Sequence, residues 1–169
     1  MIAVMEMSQR QQNVVFLFES LGKNIMMKEF EDRIKFQKIL FLAQHYDIDF
    51  GYTFSWYLRG PYSKAAVKDG YSIQEQIQNA GSLLSIQKTT ISEEKVRKFV
   101  ELIKPFSDDP EWLEIASSII YLKNEDYEDE PITQVIGFLL EDLTSGYKNF
   151  EEEKVRKITT DLVRLNLLK

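Results

Sequence analysis

A chain of 169 residues, 44% hydrophobic and 28% charged, is long enough to enclose one sizeable core and too apolar to remain unfolded. It has no cysteine, which excludes a disulfide scaffold, a thiolate nucleophile and a zinc site with sulfur ligands, and fits a reducing compartment. The net charge of −6 is unevenly placed: residues 1–100 carry 13 Lys/Arg against 11 Asp/Glu, and residues 101–169 carry 8 against 16. Only the first part could offer phosphates a basic face.

The opening stretch has no basic start and reaches a charge at Glu6, unlike a secretory signal, and no later apolar run has membrane-spanning length. A cytoplasmic protein with no membrane contact is therefore expected.

Val14, Val15, Phe18 and Leu21 recur at helical spacing, predicting a first helix over about residues 8–21 with Gly22 at its end. A second helix is predicted over about residues 28–46. Phe30, Ile34, Ile39, Leu42 and Tyr46 mark its buried side, and Phe36, Leu40, Phe41 and Ala43 widen that side enough for packing against more than one neighbour. The period then changes. Tyr52, Phe54, Trp56 and Leu58 alternate with Thr53, Ser55 and Tyr57, a strand pattern that Gly60-Pro61 interrupts. Ser63 can cap a helix starting at Lys64, kinking at Gly70 and closing at Gly81, with Ile73 and Ile77 as its buried stripe. Residues 83–86 are expected to form a second strand or wing.

Two later helices share the string Glu-Glu-Lys-Val-Arg-Lys, at residues 93–98 and 152–157. Thr90 and Asn149 each stand three residues before a Glu, as in a capping box. The string admits an internal duplication, but it fades after six residues, and pairs such as Glu93–Arg97 and Glu152–Arg156 are what a solvated helix favours. Between these helices, Pro110 opens one carrying Trp112, Leu113, Ala116, Ile119 and Ile120. An acidic run follows at residues 123–130, then Pro131 opens a helix that Ser145-Gly146 would end. The last helix buries Val155, Ile158, Leu162 and Leu165. No Pro/Gly/Ser-rich linker intervenes, so one domain is expected, with lobes of about residues 8–88 and 89–169.

Chemistry-bearing constellations are sparse. His45 is the single histidine, with only Asp47 and Asp49 nearby, and reads as a helix C-terminal residue favourable to the dipole. The acidic run lacks the ligand alternation and central glycine of a calcium loop and reads as a solvated charge run. Neither a Walker loop nor a dinucleotide fingerprint occurs. No nucleophile–base pair, metal set or cofactor loop can be assembled, and a non-enzymatic protein without cofactor or metal is expected. The segment Arg59-Gly60-Pro61-Tyr62-Ser63 has two readings. It is a turn and helix cap, or it is a binding element in which Tyr57, Arg59 and Tyr62 reach the surface opposite Trp56 and Leu58. The helix that follows carries Lys64 and Lys68, which could contact phosphates.

The segments F-Q-K-I-L-F-L-A-Q at residues 36–44 and F-G-Y-T-F-S-W-Y-L-R-G-P-Y-S at residues 50–63 resemble the SocA-like (Panacea) antitoxin domains and the related YwgA-like proteins. Lys35 and Phe36 stand where those proteins usually carry Lys-Leu, Gln37 and Lys38 match, and Gly60-Pro61 with Tyr62-Ser63 match the YwgA-like version. The resemblance covers about residues 35–81, with helix order alone beyond it. The close of the chain is similar to that of many winged-helix modules.

The resemblance to the antitoxin-like group implies toxin neutralisation or chaperone-delivered turnover. The expected protein is thus mainly helical with a short two-stranded β element and winged-helix-like features. Its expected role is a protein-interaction module for another protein, such as a toxin, through Tyr57, Arg59, Gly60, Pro61, Tyr62 and Ser63. The alternative is a nucleic-acid-binding regulator using Lys64 and Lys68.

Overall fold

Helix α1, Gln9–Ser20, begins where the Ser8 hydroxyl accepts the Gln11 N–H at 3.1 Å and the Gln11 side chain accepts the Ser8 N–H at 3.3 Å. This reciprocal box satisfies two of the donors that every helix start leaves open, and such a cap contributes about 1 kcal/mol. The computed structural model containing it describes residues 7–80, 89–142 and 150–168. Gly22 closes the helix with a φ of 72°, its N–H bonding the Glu19 carbonyl while Lys23 N–H reaches back to Phe18. The same closure ends α2, Phe30–His45, at Asp47 and ends the final helix at Asn166, with φ of 77° and 58°. Short polar side chains tolerate this left-handed conformation where most residues do not.

Among the described residues the chain continues as a hairpin of β1, Ser55–Tyr57, and β2, Gly60–Tyr62, followed by α3, Lys64–Ala80. Then come α4, Glu93–Ile103, a 3-10 turn at Lys104–Phe106, α5, Pro110–Glu125, α6, Ile132–Asp142, and α7, Glu152–Arg164. The protein is mainly helical with one two-stranded antiparallel sheet. No helix among the described residues is long and apolar enough to cross a membrane.

Several local expectations change. The strand covers only Ser55–Tyr57 rather than residues 52–58, and Gly60-Pro61 does not break the β structure but begins its second strand, pairing Trp56 with Pro61 and Tyr57 with Gly60. Proline is tolerated because this sheet has only edge strands, so its missing N–H costs no ladder bond. The strand expected at residues 83–86, the helix end at Gly81, the cap at Asn149 and the stop at Ser145-Gly146 lie outside the described residues. Ser92, rather than Thr90, caps α4 by accepting the Lys95 N–H. Arg97 pairs with Glu101 at 2.9 Å instead of with Glu93, whereas the expected Glu152–Arg156 pair forms at 2.9 Å.

α2 and α5 form the centre. Residues 36–40 of α2 are buried in succession, and α5 buries nearly every position from Trp112 to Ile120. Helices buried all round need neighbours on every side: α5 packs on α2, the hairpin, α6 and α7, and α2 also meets α3. One buried cluster extends from Val14 to Leu168. At its far edge Phe106 stacks on Trp112 at 4.0 Å, and the Trp112 indole N–H donates to Asp161 of α7.

On the opposite side, α1 meets α3 through a polar knot. The Asp69 carboxylate accepts from Arg10 at 2.8 Å, from Gln11 at 3.1 Å and from the Tyr52 hydroxyl at 2.7 Å. Burial and the bond to Asp69 hold the Tyr52 phenol well above its ordinary range. α3 continues without interruption through Gly70, where a kink was expected. This glycine instead admits its neighbours, since a Cβ there would lie 2.8 Å from both the Met27 methyl and the Phe36 ring. Gly70→Val should therefore lower the unfolding free energy by about 1–3 kcal/mol through overpacking, read as a drop in the urea midpoint. An unchanged midpoint would show that α3 can move off α2 without loss.

Candidate functional site

Gln37 and Lys38 sit where α2 passes beneath the hairpin, and both side chains turn up into it. The Gln37 carbonyl oxygen accepts the Ser63 N–H at 2.8 Å, and the Lys38 ammonium donates to the Pro61 carbonyl at 2.6 Å. Ser63 in turn accepts the Ala66 N–H at 3.2 Å and so caps α3, as its position predicted. The hairpin is thus tied to the helix below and the helix beyond. Gly60 completes the seat: its φ is 91°, and a Cβ would come 2.3 Å from the Ser118 hydroxyl of α5.

The electrostatics under this turn are unusual. Lys38 is 2% exposed and Glu114 of α5 is 4% exposed. Arg59 approaches Glu114 at 3.7 Å from the partly exposed side. Burial drives the Lys38 ammonium down to about 7, with Glu114 opposing the fall and Arg59 adding to it. One buried carboxylate therefore faces two cations.

Above this floor the hairpin presents two faces. Trp56 turns inward, its ring 5.8 Å from Tyr121 and 6.1 Å from Phe138. Tyr57 turns outward, is 58% exposed, and lies 5.2 Å from the half-buried Tyr62 ring. Leu58, expected on the Trp56 side, is exposed because strand alternation stops at Tyr57 and Leu58-Arg59 form the turn.

A cleft of about 440 Å³ opens between this hairpin, α2 and α3. Phe30 and Ile34 wall it from α2, Val67 and Tyr71 from α3, and Tyr57 and Leu58 from the hairpin. Arg33 and Arg59 supply its charge, Lys38 lies at its floor, and no carboxylate is among its described lining residues. Arg33 is anchored by donating to the carbonyls of Met27 at 3.0 Å and Lys28 at 2.8 Å, and the Arg59 guanidinium lies 5.1 Å over the Phe30 ring. Phe30 was expected in the buried stripe of α2, but it stands on the helix's first turn and is half exposed at the cleft.

Tyr57, Arg59, Gly60 and Tyr62 border this cleft, while Pro61 and Ser63 lie buried beneath it as supports. Lys64 and Lys68 are exposed. With Val67 and Tyr71 they form an i, i+3, i+4, i+7 stripe on α3, so they flank the same cleft rather than defining a separate face. Arg33, Val67 and Tyr71 were not singled out from the sequence, and Phe30 and Ile34 were placed in the core rather than at a site. A signal for Tyr71 existed, since it falls off the Ile73–Ile77 stripe.

The other sequence candidates have structural partners. His45 Nε2 lies 2.7 Å from the Leu167 carbonyl and must carry the proton, leaving Nδ1 to accept from Asn124 at 3.3 Å. The acidic run is helical through Glu125, and the turn after it wraps Lys123, whose ammonium donates to the carbonyls of Tyr127, Glu128 and Glu130. Among the described residues no three His, Asp or Glu side chains gather as metal ligands would. Comparison with known proteins finds no matching family model, no matching curated protein and no matching solved structure.

The Lys38 geometry has a pH signature. Its ammonium titrates near 7 in the folded chain and near 10.5 when unfolded, so between these values the unfolded state holds more protons. Stability contributed by this residue must then rise as pH climbs from about 7 towards 10.5. Urea unfolding of wild type and Lys38→Met across that window should show the wild type gaining on the variant with increasing pH. A constant difference would mean that Lys38 stays charged in the folded protein throughout.

Proposed function

We propose that this chain is a non-enzymatic protein-interaction module of the antitoxin or adaptor kind, acting in the cytoplasm, whose cleft between the hairpin, α2 and α3 receives an apolar side chain of a partner protein. One observation carries the reading. Of the six large hydrophobic residues exposed among the described residues, Phe30, Tyr57, Leu58 and Tyr71 all line this cleft. Exposed apolar residues scattered singly need no explanation, but a contiguous patch in a concave site marks a place where another molecule is desolvated.

The chemistry of the border agrees. Tyr and Arg bring large contact area and several donors and are enriched among interface anchors. The floor is held by the Gln37–Ser63 and Lys38–Pro61 bonds, so a ligand meets a site already formed and little ordering entropy is lost on binding. The antitoxin-like resemblance of residues 36–44 and 50–63 rests on the segments that build this seat, and a toxin is accordingly one class of partner.

A photo-crosslinking residue placed at Tyr57 or Tyr71, with Val163 of α7 as the exposed control, tests the reading in the native host. Cross-linked proteins should form from the cleft positions and not from Val163. The purified partner should then lose affinity for Leu58→Glu by at least about tenfold, the loss typical of an interface anchor. Equal cross-linking at Val163, or a purified partner that binds the variant unchanged, would end the proposal.

A further inference from the structure

We infer that the segment seated in this cleft is acidic, with one apolar side chain entering between α2 and α3 and neighbouring carboxylates lying on Arg33 and Arg59 on one side and Lys64 and Lys68 on the other. This rests on the protein-interaction reading and names the chemistry of the partner. The charge pattern carries it. The whole chain has a net charge of −6, yet Arg33 and Arg59 line the cleft above the buried Lys38, the α3 stripe places Lys64 and Lys68 beside it, and no carboxylate is among its described lining residues.

Two acids stand at the margins, Glu31 beside Phe30 and Glu75 one turn beyond Tyr71, and three others face elsewhere. Glu114 lies beneath Arg59 and Lys38, on the buried side of the floor. Asp69 accepts from Arg10, Gln11 and Tyr52 on the far side of α3. Asp32 caps the Glu29 N–H and lines a different depression, next to Lys35 and Asp108. A bowl whose described lining carries arginines and no carboxylate, in an otherwise acidic protein, attracts anions and disfavours basic partners, which selects a partner by charge as well as by shape.

A nucleic-acid strand is the other polyanion with flat groups to stack on Phe30, Tyr57 and Tyr71. The bowl argues against it on two grounds. Ile34, Leu58 and Val67 give it aliphatic walls suited to a Leu, Ile or Phe side chain. A strand also needs a long basic track, and residues 101–169, with 8 Lys/Arg against 16 Asp/Glu, do not extend one.

Selection of a random-peptide display library on the full chain provides the test, followed by titration of the winning synthetic peptide by fluorescence anisotropy. Winners should carry Asp or Glu on both sides of one large apolar residue. Their affinity should weaken with added salt and fall by about tenfold in Lys64→Glu/Lys68→Glu, whose exposed positions leave the fold intact. Leu58→Glu should abolish binding independently. Winners that are neutral or basic, or that ignore the lysine reversal, overturn the acidic-segment inference. If such peptides are still lost with Leu58→Glu, the protein-interaction reading survives; if Leu58→Glu also leaves them bound, both readings fall. Single-stranded oligothymidine that binds more tightly than the peptide and displaces it from the cleft likewise overturns the inference, in favour of a nucleic acid.

Discussion

A buried ammonium organises this molecule. Lys38 reaches out of the centre of α2 to the Pro61 carbonyl, and with the neighbouring Gln37–Ser63 bond it ties the hairpin to the helix. Taking the charge out of water is costly, and Glu114 of α5 offsets part of the cost from the other side. The three elements are therefore fixed relative to one another by a single polar junction. Gly60 shows how tight the fit is, because even a methyl group there would strike Ser118. An apolar residue in place of a buried charge can be as stable, whereas the Lys38 ammonium finds its acceptor only with the Pro61 carbonyl in this position.

From that placement the cleft follows. With Pro61 and Ser63 held down, Leu58 and Arg59 overhang α2, and Tyr57 is left on the outer face with Tyr62 beneath it. α3 starts directly from the Ser63 cap, which aims its Val67 and Tyr71 at the same opening. In the proposed role, these residues are the contacts and Lys38, Gln37, Ser63 and Glu114 are the frame. The frame is buried and hydrogen-bonded, whereas the contacts are exposed and apolar, a combination suited to binding without prior rearrangement.

Polar residues elsewhere do comparable structural work. Asp69 gathers Arg10, Gln11 and Tyr52 to lock α1 to α3, and His45 ties the end of α2 to the Leu167 carbonyl and to Asn124. Lys123 gathers three carbonyls of the acidic turn, so a run of like charges is shaped by the cation at its start. Each of these groups looks chemically suggestive in one dimension and is occupied in three.

The sequence by itself determined the helices, because the apolar spacing, the Ser8 and Ser63 caps, the Pro110 start and the Gly22 stop are local signals that act within a few residues. It also indicated that the strand stops near residue 58 and that Tyr57, Arg59 and Tyr62 would share a surface, but not that Gly60–Tyr62 folds back as the second strand. What it could not carry was any feature that depends on a distant neighbour. Phe30 and Tyr71 are separated in sequence by all of α2, the hairpin and about two turns of α3, and nothing local says that they face one opening. Gly60-Pro61 looks like a breaker until Lys38 supplies a donor to the Pro61 carbonyl, and Gly70 looks like a kink until Met27 and Phe36 pack over it. Burial of Lys38 was the least legible of all, since lysine is ordinarily exposed. Only tertiary packing, by bringing Glu114 and the Pro61 carbonyl to one point, makes a charged side chain at the centre of a core helix tolerable.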